Sequence, residues 1–167
     1  VLIFYSENYS AFGCAIKLIG HTARDESGKT QLWVAPCAVP NAIPLSHISD
    51  VYNGILTDTD MLGQTMFYGR GAGKLPTAGA VVSDMTDIAT HPYDSATAQH
   101  WVDGDVAELC DPATEVAAFM VCCCGTATSL ADTLGAAHYV DCAACGQSAM
   151  IVKSTTREAL VAALGET

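Results

Sequence analysis

The sequence predicts an α+β protein in which a mixed, mainly antiparallel sheet with flanking helices is followed by a small ferredoxin-like βαββα module. Three observations favour this class. Apolar runs joined by short polar turns dominate the first part of the chain. A stretch after residue 75 has the apolar spacing of a helix. Strand-like and helix-like segments then alternate over residues 115–167.

Two hairpins are predicted before residue 70. In the first, the runs AIKLIGHTAR and TQLWVAPCAV are separated by the polar turn DESGK. In the second, VYNGILTD and GQTMFYG flank TDML. Pro44, between the hairpins, can begin a short helix, and Ser6 is a candidate helix cap near the start of the chain. The first block is therefore predicted to be mostly sheet.

The clearest predicted helix follows the glycines Gly69, Gly71 and Gly73. Pro76 suits the first position of a helix, because its missing N–H group has no partner there in any case. Behind it, apolar residues recur at helical spacing along one face, at Ala78, Val81, Val82, Met85, Ile88 and Ala89.

Residues 91–114 mix proline, glycine and acidic residues without a clear period, which is typical of a connector. After them, VAAFMVCCC, HYVDCAAC and QSAMIVKS predict three strands, and TATSLADTLG and TTREALVAAL predict two helices. Their order, βαββα, is the ferredoxin-like pattern without its last strand. We therefore expect two blocks, residues 1–90 and 115–167, joined by the connector 91–114.

The 167 residues, half of them hydrophobic, suffice for a buried core, and the net charge is −11. Between Leu75 and Val152 there is no Lys or Arg. Nucleic acid and anionic membranes are thus excluded as partners, because both require clustered cations. No apolar run reaches the roughly 20 residues of a membrane helix, and the start lacks a signal peptide, so we expect a cytoplasmic protein. Because the chain begins with Val1, we also expect a piece of a longer polypeptide.

Eight cysteines raise the alternatives of disulfides and a metal site. In a strand, Cys122 and Cys124 would point to one face and Cys123 to the other, so the three could not bind one ion. Cys142 and Cys145 have C-x-x-C spacing without a second metal-binding motif. We favour reduced thiols that serve as small buried apolar residues, and we assign no metal ligand.

The glycine segment GRGAGKLP, residues 69–76, matches neither the dinucleotide fingerprint nor the Walker motif. Two interpretations remain. The glycines form only a tight turn, or Gly71 and Gly73 let a ligand approach the backbone beside a helix N-terminus that favours negative charge. The residues alone favour the turn, and both interpretations stay open.

Longer segments resemble a known family. GCAIKLIGHTAR, VAPCAVPNAIPL and VYNGILTDTDMLGQTMFYGRGAGKLPTAGAVVSDMTDIA together resemble the later part of homoserine dehydrogenase. The resemblance implies that residues 1–90 end a catalytic and dimerisation domain and that residues 115–167 are a shortened ACT-like regulatory module. It also implies an N-terminal Rossmann domain that holds NAD(P), and it makes Gly73 and Gly71 cofactor-binding residues.

The same resemblance places the family's catalytic residues, nucleotide fingerprint and monovalent-cation site upstream of Val1, so we assign no catalytic residue. It implies that the whole enzyme interconverts L-aspartate 4-semialdehyde and L-homoserine, and that the fragment alone is inactive and binds no NAD(P). Expected partners are a second copy, in a homodimer through the first-block sheet, and the Rossmann domain of the same chain. The loop CCGTATSL keeps Gly125 but lacks Asp-x-Pro-Gly, so no effector is assigned. The alternative is a stand-alone amino-acid-binding or interaction module.

Overall fold

The computed structural model describes residues 12–91, 107–142 and 146–165. The strands are β1 (Cys14–Arg24), β2 (Thr30–Pro40), β3 (Tyr52–Thr59), β4 (Gly63–Arg70), β5 (Val116–Cys124), β6 (His138–Cys142) and β7 (Gln147–Thr156). The helices are a 3-10 helix (Pro44–His47), α1 (Lys74–Thr90), α2 (Thr128–Thr133) and α3 (Arg157–Gly165). All pairs of these strands are antiparallel. The predicted α+β class is confirmed. The candidate cap Ser6 lies outside the described residues.

The chain divides into two compact units, of which one combines residues 1–42 with 106–167 and the other is 43–105. This grouping differs from the predicted blocks, because the first hairpin joins the C-terminal module. The reason is visible at Thr30, whose N–H group donates to the Glu108 carbonyl at 2.8 Å while its carbonyl accepts from Cys110 N–H at 2.9 Å. Part of the predicted connector therefore pairs with the start of β2.

The first predicted hairpin is confirmed as β1 and β2, which pair from Cys14↔Pro40 to Arg24↔Thr30. Asp25 organises the turn. Its Oδ1 accepts hydrogen bonds from the N–H and hydroxyl of Ser27 and from the N–H of Lys29, at 2.8–2.9 Å. Gly28 adopts φ 86°. The turn sequence DESGK thus forms because an Asp side chain replaces backbone acceptors and a glycine supplies the positive φ.

The second hairpin, β3 and β4, is also confirmed, with pairs from Tyr52↔Arg70 to Thr59↔Gly63. The hydroxyls of Thr57 and Thr65 hydrogen-bond across it at 2.6 Å. The short helix predicted near Pro44 is the 3-10 helix. It packs close to β3, since a Cβ at Gly54 would overlap Ile48 Cδ1 and lie 3.2 Å from Leu45 Cδ2.

Helix α1 follows the glycines as predicted but begins at Lys74, two residues before Pro76. A proline is tolerated in this first turn, because the N–H groups there have no intrahelical acceptor. The predicted apolar face exists and is exposed: Met85 is 65% and Ile88 72% accessible. No residue of α1 is buried against the described part of the chain. The helix therefore carries an uncovered apolar stripe.

The C-terminal module has the predicted order βαββα, and its strands are arranged β5-β7-β6. The central strand β7 carries the core residues Met150 and Val152, against which Ala131 of α2 and Leu160 of α3 pack. Both helices thus cover one face of the sheet. A bulge near Ser154, whose φ is 55°, shifts the register of β7 against β5. In the described residues, the outer edge of β5 pairs with no strand of this sheet.

Candidate functional site

The candidate site is the glycine loop, residues 69–73, which carries the chain from β4 into α1. The first part of the loop is held near β3 by a hydrogen bond and by ring contacts. The Gly71 N–H group donates to the Val51 carbonyl at 3.2 Å. The Arg70 guanidinium lies 5.3 Å from the ring centre of Tyr52, which stacks on Tyr68 with centroids 5.0 Å apart. These contacts hold the first part of the loop against β3.

Gly71 lies beneath the side chain of Asn53. A Cβ at Gly71 would overlap Asn53 Nδ2 and stand 2.7 Å from its Cγ. No larger residue fits at Gly71 unless Asn53 moves. The sequence analysis placed Asn53 correctly in a strand, within VYNGILTD, but did not single it out, because its contact with Gly71 arises from pairing across the hairpin. The available signal was its position opposite Gly69 in a hairpin whose register the turn already defines.

The backbone conformation at position 73 requires glycine. Gly73 caps α1 with φ 117° and ψ 157°, a region that is essentially restricted to glycine. Its carbonyl accepts a hydrogen bond from Thr77 N–H at 3.1 Å. Among the described residues a Cβ would meet Pro76 alone, at 3.6 and 3.9 Å, so within this part of the chain one side of Gly73 is open.

The N-terminus of α1 is suited to an anion. No side chain of the described residues caps it, and its first turn contains no acidic residue. Lys74 begins the helix, and Gly71 to Leu75 are all exposed. Unpaired first-turn N–H groups and the helix dipole favour negative charge at such an end. The structure thus brings Gly71 and Gly73 together in one exposed loop. Gly73 has a backbone conformation that requires glycine, whereas at Gly71 the limit is the space taken by the Asn53 side chain, and both observations suit the turn interpretation.

The predictions for the cysteines of β5 are confirmed for their orientation but only partly for their burial. Cys123 packs against the module core, whereas Cys122 and Cys124 point to the opposite face, as predicted for one strand. The prediction that the thiols are buried is wrong for Cys122 and Cys124, which are exposed because they alternate away from the helices. Burial raises the pKa of the Cys123 thiol, and the neighbouring Cys124 adds to the effect.

No metal site is formed by the part of the chain that the structure describes, where no three His, Cys, Asp or Glu side chains are placed to hold an ion. In the C-x-x-C pair, Cys145 and the Cys142 side chain lie outside the described residues. Among the described helices, none is long and apolar enough to span a membrane.

Comparison with known proteins decides the family. A model of the homoserine dehydrogenase family matches residues 5–86, which include both hairpins, the glycine loop and most of α1. The homoserine dehydrogenase of Synechocystis sp. is 43% identical over 103 residues, or 53% of this chain. That of Neisseria gonorrhoeae is 44% identical over 77 residues, or 46% of this chain. Residues 5–86 belong to the homoserine dehydrogenase family.

Solved homoserine dehydrogenases share the fold over nearly the whole chain. The Thiobacillus denitrificans structure covers 95% of it with a TM-score of 0.73 at 22% identity. A Staphylococcus aureus structure covers 95% with a TM-score of 0.63 at 28% identity. The chain covers 40% of each of these structures, and 24% and 18% of the two curated relatives. It therefore spans well under half of the homoserine dehydrogenases it matches.

Proposed function

We propose that the chain is part of an NAD(P)-dependent homoserine dehydrogenase that interconverts L-aspartate 4-semialdehyde and L-homoserine, a step in the biosynthesis of threonine, methionine and isoleucine. The observation that carries the proposal is the family match over residues 5–86. That match includes the exposed loop in which Gly71 and Gly73 lie beside the N-terminus of α1. We also propose a cytoplasmic location, which suits the six described cysteines that form no disulfide.

The glycine loop fits a dinucleotide. Gly73 has an open side, and the N-terminus of α1 favours negative charge such as that of a pyrophosphate. In the proposed enzyme Gly71 and Gly73 would offer their backbone to NAD(P), which supplies or accepts the hydride. The exposed stripe of α1, with Leu75 and Ile88, supports a further covering domain, for which we propose the Rossmann domain of the same polypeptide.

The test is an activity assay on the full-length gene product and on this chain alone. The full-length protein should oxidise homoserine with reduction of NAD or NADP, whereas the chain alone should give no hydride transfer. A full-length protein that is folded but inactive with both nucleotides would refute the proposal. It would favour the alternative of a stand-alone amino-acid-binding or interaction module, which lacks an upstream nucleotide domain.

We propose homodimer formation through the first-block sheet. On one face of the β1–β2 hairpin, Leu18 is 74% and Val34 71% accessible, and Leu32 lies beside them. Such a face, uncovered within the described unit, is suited to a second apolar face. Stable dimers bury roughly 1,600 Å² in total.

Light scattering on the full-length protein at micromolar concentration should give the mass of a dimer. Val34→Lys should shift the mass towards the monomer, because a charge would be placed in an apolar interface. Val161→Lys is the matched control, since Val161 is also exposed, at 59%, but lies on α3. A monomeric parent protein, or equal effects of the two variants, would contradict this interface.

A further inference from the structure

Asn53 reaches Gly71 because its direct neighbour across the hairpin has no side chain. Asn53 pairs with Gly69, and paired residues in an antiparallel ladder point to the same face. The space that a residue at 69 would fill is empty, since nothing lies within 4 Å of a Cβ built at Gly69. The Asn53 carboxamide instead lies over the next residue on that face, Gly71.

The glycine loop needs such a restraint. Three of its five residues are glycines, which have more backbone freedom than any other residue. Backbone hydrogen bonds hold its two ends, from Gly71 N–H to Val51 and from Thr77 N–H to the Gly73 carbonyl. Asn53 is the side chain that occupies the Cβ position of Gly71 and so limits how the backbone can rotate between those bonds.

We propose that Asn53 is a positioning residue for the nicotinamide cofactor, acting through the glycine loop. Its side chain fills the space over Gly71 and holds residues 71–73 in the conformation that presents the Gly73 backbone and the N-terminus of α1 to the dinucleotide. This inference rests on the proposed dehydrogenase function. It assigns the role to the shape of the Asn53 side chain, not to contact between Asn53 and the reacting atoms.

The main experiment is steady-state kinetics of the full-length enzyme with homoserine and NADP or NAD. Asn53→Ala should raise the cofactor KM at least about fivefold, with kcat and the homoserine KM changed less than twofold. Asn53→Leu, which keeps a branched side chain of similar length, should restore the cofactor KM to within about twofold. Because Asn53 is exposed, the melting temperature of all variants should stay close to that of the parent enzyme.

A double-mutant cycle tests the contact itself. Gly71→Ala should raise the cofactor KM, because its methyl group would displace Asn53. Gly79→Ala, in α1 and outside the glycine loop, is the control and should leave the cofactor KM unchanged, since no described atom lies within 4 Å of a Cβ built there. With Asn53→Ala already present, Gly71→Ala should add less than twofold, because the overlap is gone.

The outcomes separate the two proposals. An inactive full-length parent enzyme would overturn the proposed function and this inference with it. An active enzyme whose cofactor KM is unchanged by Asn53→Ala would overturn the role of Asn53 alone. Failure of Asn53→Leu to restore KM, or effects of Asn53→Ala and Gly71→Ala that multiply, would also overturn it.

Discussion

Replacement of Gly73 separates a cofactor-binding glycine from a turn glycine. Gly73 caps α1 with φ 117° and ψ 157°, so any L-residue there is strained by about 1–3 kcal/mol. Pro76, at 3.6 Å from a built Cβ, is in ordinary contact, so Gly73→Ala has no overlap to relieve. Loss of stability is therefore expected whether or not a cofactor binds nearby, so a stability measurement alone does not distinguish a cofactor-binding glycine from a turn glycine.

The deciding quantity is the cofactor KM of the full-length enzyme. If the dinucleotide passes along the open side of Gly73, Gly73→Val should raise that KM at least about tenfold, which corresponds to about 1.4 kcal/mol. Gly73→Ala, with a smaller side chain, should have a smaller effect in the same direction.

Gly28→Ala is the control variant, because it too places an L-residue at a backbone position with positive φ. Gly28 has φ 86° and open space around it, but it lies in the turn between β1 and β2. It should lower the melting temperature without altering the cofactor KM. If Gly73→Val lowers stability but leaves the cofactor KM of the folded enzyme unchanged, the glycines form a turn and our reasoning on the cofactor is refuted.

Three further predictions concern stability and are checked by unfolding the chain with denaturant. Gly54→Ala should lower the free energy of unfolding by about 1–3 kcal/mol, because its methyl group would overlap Ile48. In a protein that already carries Ile48→Ala, Gly54→Ala should cost much less, and additive losses of the two variants would contradict the contact. Met150→Ala should cost about 2–5 kcal/mol because Met150 is fully buried, whereas Met61→Ala, at a side chain that is 94% exposed, should cost almost nothing; similar losses would contradict the assigned core. Hydrogen bonds from Ser27, then Lys29 and Cys110, lower the pKa of Asp25 below its ordinary 3.8, so its contribution is present above that pH and is lost as pH falls through the lower folded value. Asp25→Asn should remove this part of the acid dependence, and an unchanged profile between pH 5 and 2 would refute it.

Local chemistry allowed most elements to be predicted. The turn DESGK contains both an acceptor side chain and a glycine, so the first hairpin followed from the sequence. The apolar period after Gly73 likewise predicted α1. Its start was misplaced by two residues because a proline is tolerated throughout the first helical turn, not only at its first position.

Features that depend on contacts between distant residues could not be predicted. The turn defines the register that places Asn53 on the same face as Gly71, but not the side-chain conformation that brings the Asn53 carboxamide over Gly71. The pairing of Thr30 with residues 108–110 joins segments that lie far apart in the chain. The exposure of Cys122 and Cys124 depends on which face of β5 the helices cover, and alternation along a strand does not reveal that.

Within the described residues no strand of the sheet pairs with the outer edge of β5, and this has a practical consequence for work on the isolated chain. A strand with unpaired N–H and C=O groups can add to the same strand of another molecule. On β5 such an encounter would bring the exposed thiols of Cys122 and Cys124 from two molecules together, and oxidation would then make the association covalent. Purification and calorimetry therefore require a reducing agent throughout, and irreversible aggregation in its absence would report thiol oxidation and not the intrinsic stability of the fold.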